Sequence, residues 1–364
     1  MIKKISVSLK KKSYSIIIGF KIFKKSDFLF YFSKNKRYFL ITNNTLLSIW
    51  AKKILQIFKK NNINIDIIVI SDGEIYKKIE QVDYIIKELL KKNCSRNDVL
   101  VAFGGGVIGD ITGFVASIYQ RGISFIQIPT TLLAQVDASI GGKTGVNHAL
   151  GKNMIGTFWQ PKVVIIDLFF LSTLSKRELL SGFSEVIKYA ISFDKKFFIW
   201  LEKTFFRLIN LEKKSLLYCV KKCCKIKAKI VSLDEKEKNL RALLNFGHTY
   251  GHAIESCTNY KNFLHGEAIS IGMILSARTA EILGILEISQ VKKIISLLNK
   301  FQLPIFFPKK IPLLNYISYM KRDKKNSYGK IKLILPFKIG LVKIYDNIKE
   351  EVILSSIKNS FEKI

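Results

Sequence analysis

The chain has 364 residues, enough for one large or two ordinary domains, and 48% of them are apolar, ample for buried cores. Its formal charge of +32 raises the question of a nucleic-acid partner. However, 52 of the 60 basic residues are lysines, scattered among the isoleucine, asparagine and phenylalanine that A/T-rich codons also favour, so no specific nucleic-acid surface is expected. Five cysteines in no even framework predict a reduced, cytoplasmic setting, and neither a signal segment nor an apolar run of about 18 residues suggests a membrane.

From residue 37 onward strand-like and helix-like segments alternate. RYFLITNN is a strand with its exit turn, TLLSIWAKKILQIFKK has helical periodicity, INIDIIVISDGE is a second strand and YKKIEQVDYIIKELLKK a second helix. DVLVAFGGG runs a strand into glycines, VIGDITGFVASIYQ is the helix after it, and ISFIQIPTT and PKVVIIDL are further strands. Such alternation predicts a parallel α/β layer. Near residue 175 the composition changes. From LSKRELLSGFSEVIKYAIS to about residue 300 the periodicity is mostly helical, and the tail IKLILPFKIGLVKIY suits a short hairpin or strand. The expected division is an α/β domain over 1–175 and a mainly α-helical one over 176–364.

In VLVAFGGGVIGD, Gly104, Gly106 and Gly109 fit G-x-G-x-x-G between a strand and a helix. Glycines there let the backbone approach a pyrophosphate, and the helix N-terminus favours the anion. The motif falls in the third strand–helix unit, and no acid follows about 20 residues on. It therefore predicts a nucleotide-phosphate cradle but not an ordinary dinucleotide fingerprint. GGKTG at 141–145 fails as a P-loop because Asp137 stands where the first glycine is required. What remains is a glycine-rich loop offering Lys143, followed by Lys152 and Asn153 in LGKNMIG.

The chain has four histidines, three of them at 248, 252 and 265. Projected as one helix at about 100° per residue, 239–255 puts Arg241, Asn245, His248, His252 and Glu255 on one face. Leu240, Leu243, Leu244, Phe246, Tyr250 and Ile254 occupy the rest. A solvated face in this chain would carry lysine and glutamate; arginine, asparagine and two histidines are the composition of a site. His248 and His252 at i, i+4 suit a shared metal or side-by-side work. His265 is a candidate further ligand, as is Glu185, an acid within the apolar stretch SGFSEVIKYA. Thr249 after His248 excludes HExxH chemistry. Gly247 and Gly251 lower helix propensity and are expected to admit another element at close range. Lys227 and Glu237, in KAKIVSLDEKEKNLR, are weak signals singly.

Together, FGGGVIGDITGF, YQRGISFIQIPTTLLAQVDASIGGKTGVNHALGKNMIG, SGFSEVIKYA, DEKEKNLRALLNFGHTYGHAIE, FLHGEAISIGM and RDKK resemble the 3-dehydroquinate synthases of the sugar phosphate cyclase superfamily, over about residues 35–340. The resemblance implies NAD on a Rossmann-like N-terminal domain with a parallel sheet, and zinc or cobalt on a helical C-terminal domain. It implies conversion of 3-deoxy-D-arabino-heptulosonate 7-phosphate to 3-dehydroquinate and phosphate, with NAD cycling and not consumed. The implied metal ligands are Glu185, His248 and His265, which leaves His252 as a substrate-side or proton-handling residue. Substrate contacts are implied for Arg121, Asp137, Lys143, Lys152, Asn153, Lys188, Lys227, Arg241 and Asn245, with Glu237 nearby. NAD contacts are implied for Asn43, Asp72, Gly73, Glu74, Lys77, Gly105, Gly106, Val107, Asp110, Thr130, Thr131 and Thr173, with Asp137, Lys143 and Lys152 shared. Lys324 and Lys325 match a late basic motif. A homodimer acting on an anionic sugar phosphate, with no specific nucleic acid and no membrane, completes the expectation. A metal-dependent polyol dehydrogenase is the alternative class. It would not need the cations Arg121, Lys143, Lys152, Lys227 and Arg241, which suit a substrate bearing a carboxylate and a phosphate.

Overall fold

The structure, a computed structural model, describes residues 2–24, 26–258, 261–308, 313–321 and 331–360. Lys324, Lys325 and the RDKK motif that holds them lie outside the described residues. The chain forms two compact units, Met1–Leu174 with Leu216–Lys236 and Ser175–Ser215 with Glu237–Ile364. The stretch Leu216–Lys236, helical in sequence and grouped there with the second domain, thus belongs to the first unit. No helix among the described residues is long and apolar enough to cross a membrane.

Among its described residues the first unit contains nine strands: β1 (Lys3–Val7), β2 (Tyr14–Gly19), β3 (Arg37–Asn43), β4 (Asn64–Ile70), β5 (Val99–Gly104), β6 (Ser124–Pro129), β7 (Lys143–His148), β8 (Gly151–Phe158) and β9 (Val163–Asp167). Seven of them form one sheet in the order β1-β2-β9-β6-β5-β3-β4. All its neighbours run parallel except β1 and β2. Both faces are covered, so the interior strands are mostly apolar, with Thr42 and Gln127 as buried polar exceptions. The period of two still sorts their side chains. Tyr38, Leu40, Val101, Phe103, Ile126 and Ile128 pack with Ile54 and Phe58 of the helix Lys52–Lys60. Phe39, Ile41, Leu100, Ala102 and Phe125 face the other way, onto Val82, Ile85, Ile111 and Val115 of the helices Ile79–Lys91 and Gly106–Ile118.

The order of the strands fixes where a ligand can enter. The chain steps from β3 to β4 on one side, then returns to β5 on the other. The crevice at the carboxyl ends of β3 and β5 is therefore the topological switch point. Asn43 ends β3, and Gly104 ends β5.

The stretch 141–158 is not the loop that its glycines suggested. β7 and β8 form a separate antiparallel ladder with a register shift between Val146 and His148. Gly145 and Gly156 face each other across it, where a Cβ on either would meet opposing backbone at 2.4 or 2.1 Å. These glycines serve close strand pairing, which is why their composition imitates a loop.

The second unit is helical: Lys176–Phe193, Lys195–Ile209, His248–Cys257, His265–Ile282, Ile288–Lys300 and Glu350–Lys358, with a hairpin of β10 (Leu333–Lys338) and β11 (Leu341–Tyr345). The expected single helix over 239–255 does not form. Leu240–Asn245 is a 3-10 turn, and Gly247 is left-handed at φ 77° before the helix restarts at His248. The reason is packing. Gly272 of the helix His265–Ile282 passes so near that a Cβ on it would lie 2.1 Å from the Gly247 carbonyl oxygen and 2.9 Å from the Gly251 nitrogen. Gly247 and Gly251 admit this neighbour at backbone contact.

Candidate active site

In the first unit the candidate nucleotide residues follow the carboxyl ends of parallel strands. Asn43 ends β3 and spends its side-chain oxygen capping the next helix, accepting from Leu46 N at 3.0 Å. Asp72, Gly73 and Glu74 follow β4. Gly105 caps the helix Gly106–Ile118, whose first turn carries no acid. Thr130 and Thr131 follow β6, and a Cβ on Gly105 would meet the Thr131 methyl at 3.1 Å. This glycine turn with Val107 just inside the helix is a cradle that larger residues would fill. Thr173 uses its hydroxyl otherwise, accepting from Trp50 Nε1 at 2.8 Å and donating to the Phe170 carbonyl at 3.1 Å.

A polar cluster joins β4's exit to the β7–β8 hairpin. Lys77, only 3% exposed, donates from Nζ to Asp110 Oδ2 at 2.5 Å and Asn153 Oδ1 at 2.6 Å. Burial pushes the Asp110 carboxyl up, and the Lys77 charge pulls it back down. Asn147 ties the cluster together. Its N–H donates to the Lys77 carbonyl at 2.8 Å, its Nδ2 to Glu74 Oε1 at 2.9 Å, and its Oδ1 accepts from Asn153 N at 2.8 Å. Lys152 Nζ lies 4.0 Å from the same Glu74 oxygen. Asn147 escaped notice in the sequence; its one signal there was a polar residue between Lys143 and Lys152. A second cation, the buried Lys227, donates to Asp137 Oδ1 at 2.7 Å and to the Asp137 carbonyl at 2.6 Å. Lys143 is exposed at the start of β7. Arg121 is apart from these clusters. It is exposed, left-handed at φ 67°, and precedes β6, at the amino edge of the sheet.

In the second unit Ser175 caps the helix Lys176–Phe193 by accepting from Glu178 N. Residues 179–192 of that helix are all buried, so Glu185 at 0% and Lys188 at 1% exposure are charges held in a core. Such charges need partners. Lys188 Nζ makes a close ionic contact with Glu185 Oε2. Glu185 Oε1 has no hydrogen-bond partner; it lies 3.6 Å from His248 Nε2 and 3.5 Å from His265 Nε2. One donor atom from each of Glu185, His248 and His265 lies within 4.8 Å of the others. Glycines make this convergence possible. A Cβ at Gly266 would overlap the Ser181 carbonyl oxygen at 1.9 Å, so His265 is drawn against the Glu185 helix. The left-handed Gly247 turns the chain so that His248 opens a new helix. His248 Nδ1 faces the Phe246 carbonyl at 3.1 Å. A carbonyl only accepts, so Nδ1 carries the proton and Nε2 offers a lone pair toward Glu185.

The pairing of His248 with His252 suggested by i, i+4 spacing gives ring centroids 5.3 Å apart, and His252 falls in a separate group with Glu255 and His265. Arg241 is 1% exposed on the 3-10 turn. Asn245 donates to Glu237 Oε1 at 2.6 Å and to the Ala242 carbonyl at 3.1 Å.

A parallel α/β unit followed by a mainly helical one is the architecture of the sugar phosphate cyclases. The solved structure of ValA, a 2-epi-5-epi-valiolone synthase from Streptomyces hygroscopicus subsp. jinggangensis 5008 with NAD+ and Zn2+ bound, matches at a TM-score of 0.90 and 26% identity over 97% of this chain and 98% of that one. Within that class the chain belongs to the 3-dehydroquinate synthase family. The family's N-terminal model matches residues 67–181 and its C-terminal model residues 182–326. The 3-dehydroquinate synthase of Buchnera aphidicola subsp. Baizongia pistaciae is 52% identical over 97% of this chain and 99% of its own length. That of Buchnera aphidicola subsp. Cinara cedri is 53% identical over 98% and 97%.

Proposed function

We propose that the chain converts 3-deoxy-D-arabino-heptulosonate 7-phosphate to 3-dehydroquinate and phosphate, with NAD returned at each turnover and a divalent cation, zinc or cobalt. The observation that carries this reading is Glu185 Oε1, fully buried without a hydrogen-bond partner and faced by two imidazole nitrogens at 3.5 and 3.6 Å. Those separations exceed good hydrogen bonds and suit three donors turned toward one cation. The residues therefore fit the metal, and the glycine turn after β5 fits a dinucleotide pyrophosphate. When bound, NAD supplies a reversible hydride acceptor, and the cation supplies a Lewis acid with a position left for substrate hydroxyls.

The chain's own residues bind, orient and move protons. Lys188 holds the Glu185 carboxylate through its Oε2. Asn43, Asp72–Glu74, Lys77, Asp110, Thr130 and Thr131 would hold the nucleotide. Lys143, Lys152, Asn153 and Lys227 bind the substrate's anionic groups, with Asp137 fixing Lys227 and Asn147 fixing Asn153. Arg241 offers a two-pronged donor, Glu237 fixes the Asn245 amide, and His252 handles a proton. The assignments of Arg121 and Thr173 rest on the resemblance alone. A cytoplasmic homodimer belongs to the same reading; the resemblance supports it, and the five cysteines, all free, suit a reduced setting.

The test is phosphate release from the heptulosonate phosphate. Omitting NAD or chelating the metal is expected to stop it, and zinc to restore it. His248→Ala is expected to lose bound metal; a variant that keeps stoichiometric metal and full turnover contradicts the ligand assignment.

A further inference from the structure

The metal-ligand reading leaves Glu255 without a task, although it was one of the five polar residues projected onto a single face. Glu255 lies two turns along the helix from His248 and is 3% exposed. Its Oε1 lies 3.3 Å from His265 Nδ1, while Nε2 of the same ring lies 3.5 Å from Glu185 Oε1. The His265 ring thus has a carboxylate at each nitrogen, and a neutral imidazole has one proton to give.

Two observations decide which nitrogen holds it. Only the Nδ1 contact meets hydrogen-bond geometry. Glu185 is also already faced by the Lys188 ammonium, which weakens it as a rival acceptor. We infer that Glu255 is a positioning residue that fixes His265 in its Nδ1–H tautomer, so that Nε2 is presented as a lone pair beside Glu185 and His248. The Phe246 carbonyl does the same for His248. The two ligand histidines are therefore oriented by different means, one by backbone and one by a buried acid. This bears on the second group of close donors, His252, Glu255 and His265. A cation there would need the Nδ1 lone pair that the Glu255 hydrogen bond removes, so one metal per chain is expected.

The tautomer belongs to the chain alone and is measured without metal, substrate or turnover. Only four histidines are present, so 15N-histidine labelling resolves each ring. In the metal-free wild-type protein, at a pH where imidazoles are neutral, His265 is expected to show a protonated Nδ1 and an unprotonated Nε2. Glu255→Gln supplies both a donor and an acceptor, so it no longer discriminates. It is expected to raise the Nε2–H form and to weaken zinc or cobalt in chelator competition by about 10–100-fold, the range for loss of an outer carboxylate. The visible spectrum of the cobalt form should shift. An Nε2–H tautomer in the wild type, two metals per chain, or a Glu255→Gln variant with unchanged tautomer and affinity would each overturn the inference. Should that variant fail to fold, the wild-type spectrum still decides. Since phosphate release tests the proposed function separately, failure of one is distinguishable from failure of the other.

Discussion

Gly247 shapes the candidate Glu185–His248–His265 set without being part of it. Replacing it with alanine has two costs that the structure separates. The residue is left-handed at φ 77°, a conformation that costs an L side chain about 1–2 kcal/mol. The new Cβ would also meet Met273 Cγ at 2.8 Å, Met273 N at 2.9 Å and the Ile269 carbonyl oxygen at 3.2 Å. A methionine side chain can swing away, but the backbone of a buried helix cannot. Overpacking of this kind costs about 1–3 kcal/mol. Gly247→Ala is therefore expected to destabilise the protein by about 2–5 kcal/mol in urea unfolding, and to weaken the metal because His248 is the next residue. Gly284 provides the control. It is also left-handed, at φ 68°, but a Cβ added there would meet nothing within 4 Å. Gly284→Ala should show the backbone cost of about 1–2 kcal/mol and leave metal affinity alone. Equal, mild effects from the two substitutions would refute the claim that close helix packing at Gly247 builds the ligand set.

Arg241→Lys keeps the charge but loses the planar fork, and should cost about 1.5–3 kcal/mol in kcat/KM. A kinetically silent substitution would make Arg241 a generic buried cation. The Asp110 carboxyl is raised above its ordinary 3.8 mainly by burial, so its contribution to stability is fully present below that pH and is lost as pH rises through the folded value. Lys77→Met removes the charge that offsets this. Its destabilisation should therefore grow from acid toward neutral pH, and Asp110→Asn in the same chain should flatten the dependence; a pH-independent loss would contradict the pairing. Binding to duplex DNA should be weak and should collapse with added salt, because phosphate neutralisation by scattered lysines is non-specific. Tight, sequence-selective binding near physiological salt would revive the rejected class.

The parallel sheet was legible because its strands are long apolar runs bounded by turn residues, and RYFLITNN, DVLVAFGGG and PKVVIIDL became β3, β5 and β9. The β7–β8 ladder was not. Most of β8 is half-buried or exposed, so no apolar alternation marks it, and the glycines that let the strands meet look like loop residues. β1 and β2 also passed unmarked, in a segment whose apolar run is short. Around the candidate Glu185–His248–His265 set, the polar composition of 239–255 drew attention to residues that lie close together, but the helical projection that selected them was not real. Arg241 and Asn245 sit on a 3-10 turn, and the reversal at Gly247 depends on a helix that begins 18 residues later. No local pattern contains that neighbour. Glu185 posed the opposite difficulty: an acid in an apolar helix is usually a surface residue, and only full burial beside two imidazoles distinguishes it.

The central claim is that NAD works as a returned hydride carrier in an elimination, and one assay addresses it by following phosphate and free NADH together. With a catalytic amount of NAD and the heptulosonate phosphate, phosphate should accumulate linearly over many turnovers while free NADH stays near baseline, and glycerol should produce no steady NADH. Phosphate release should cease when NAD is withheld, because elimination needs the transient ketone that acidifies the neighbouring C–H bond. NADH rising in step with substrate loss would make the chain a dehydrogenase and contradict the account.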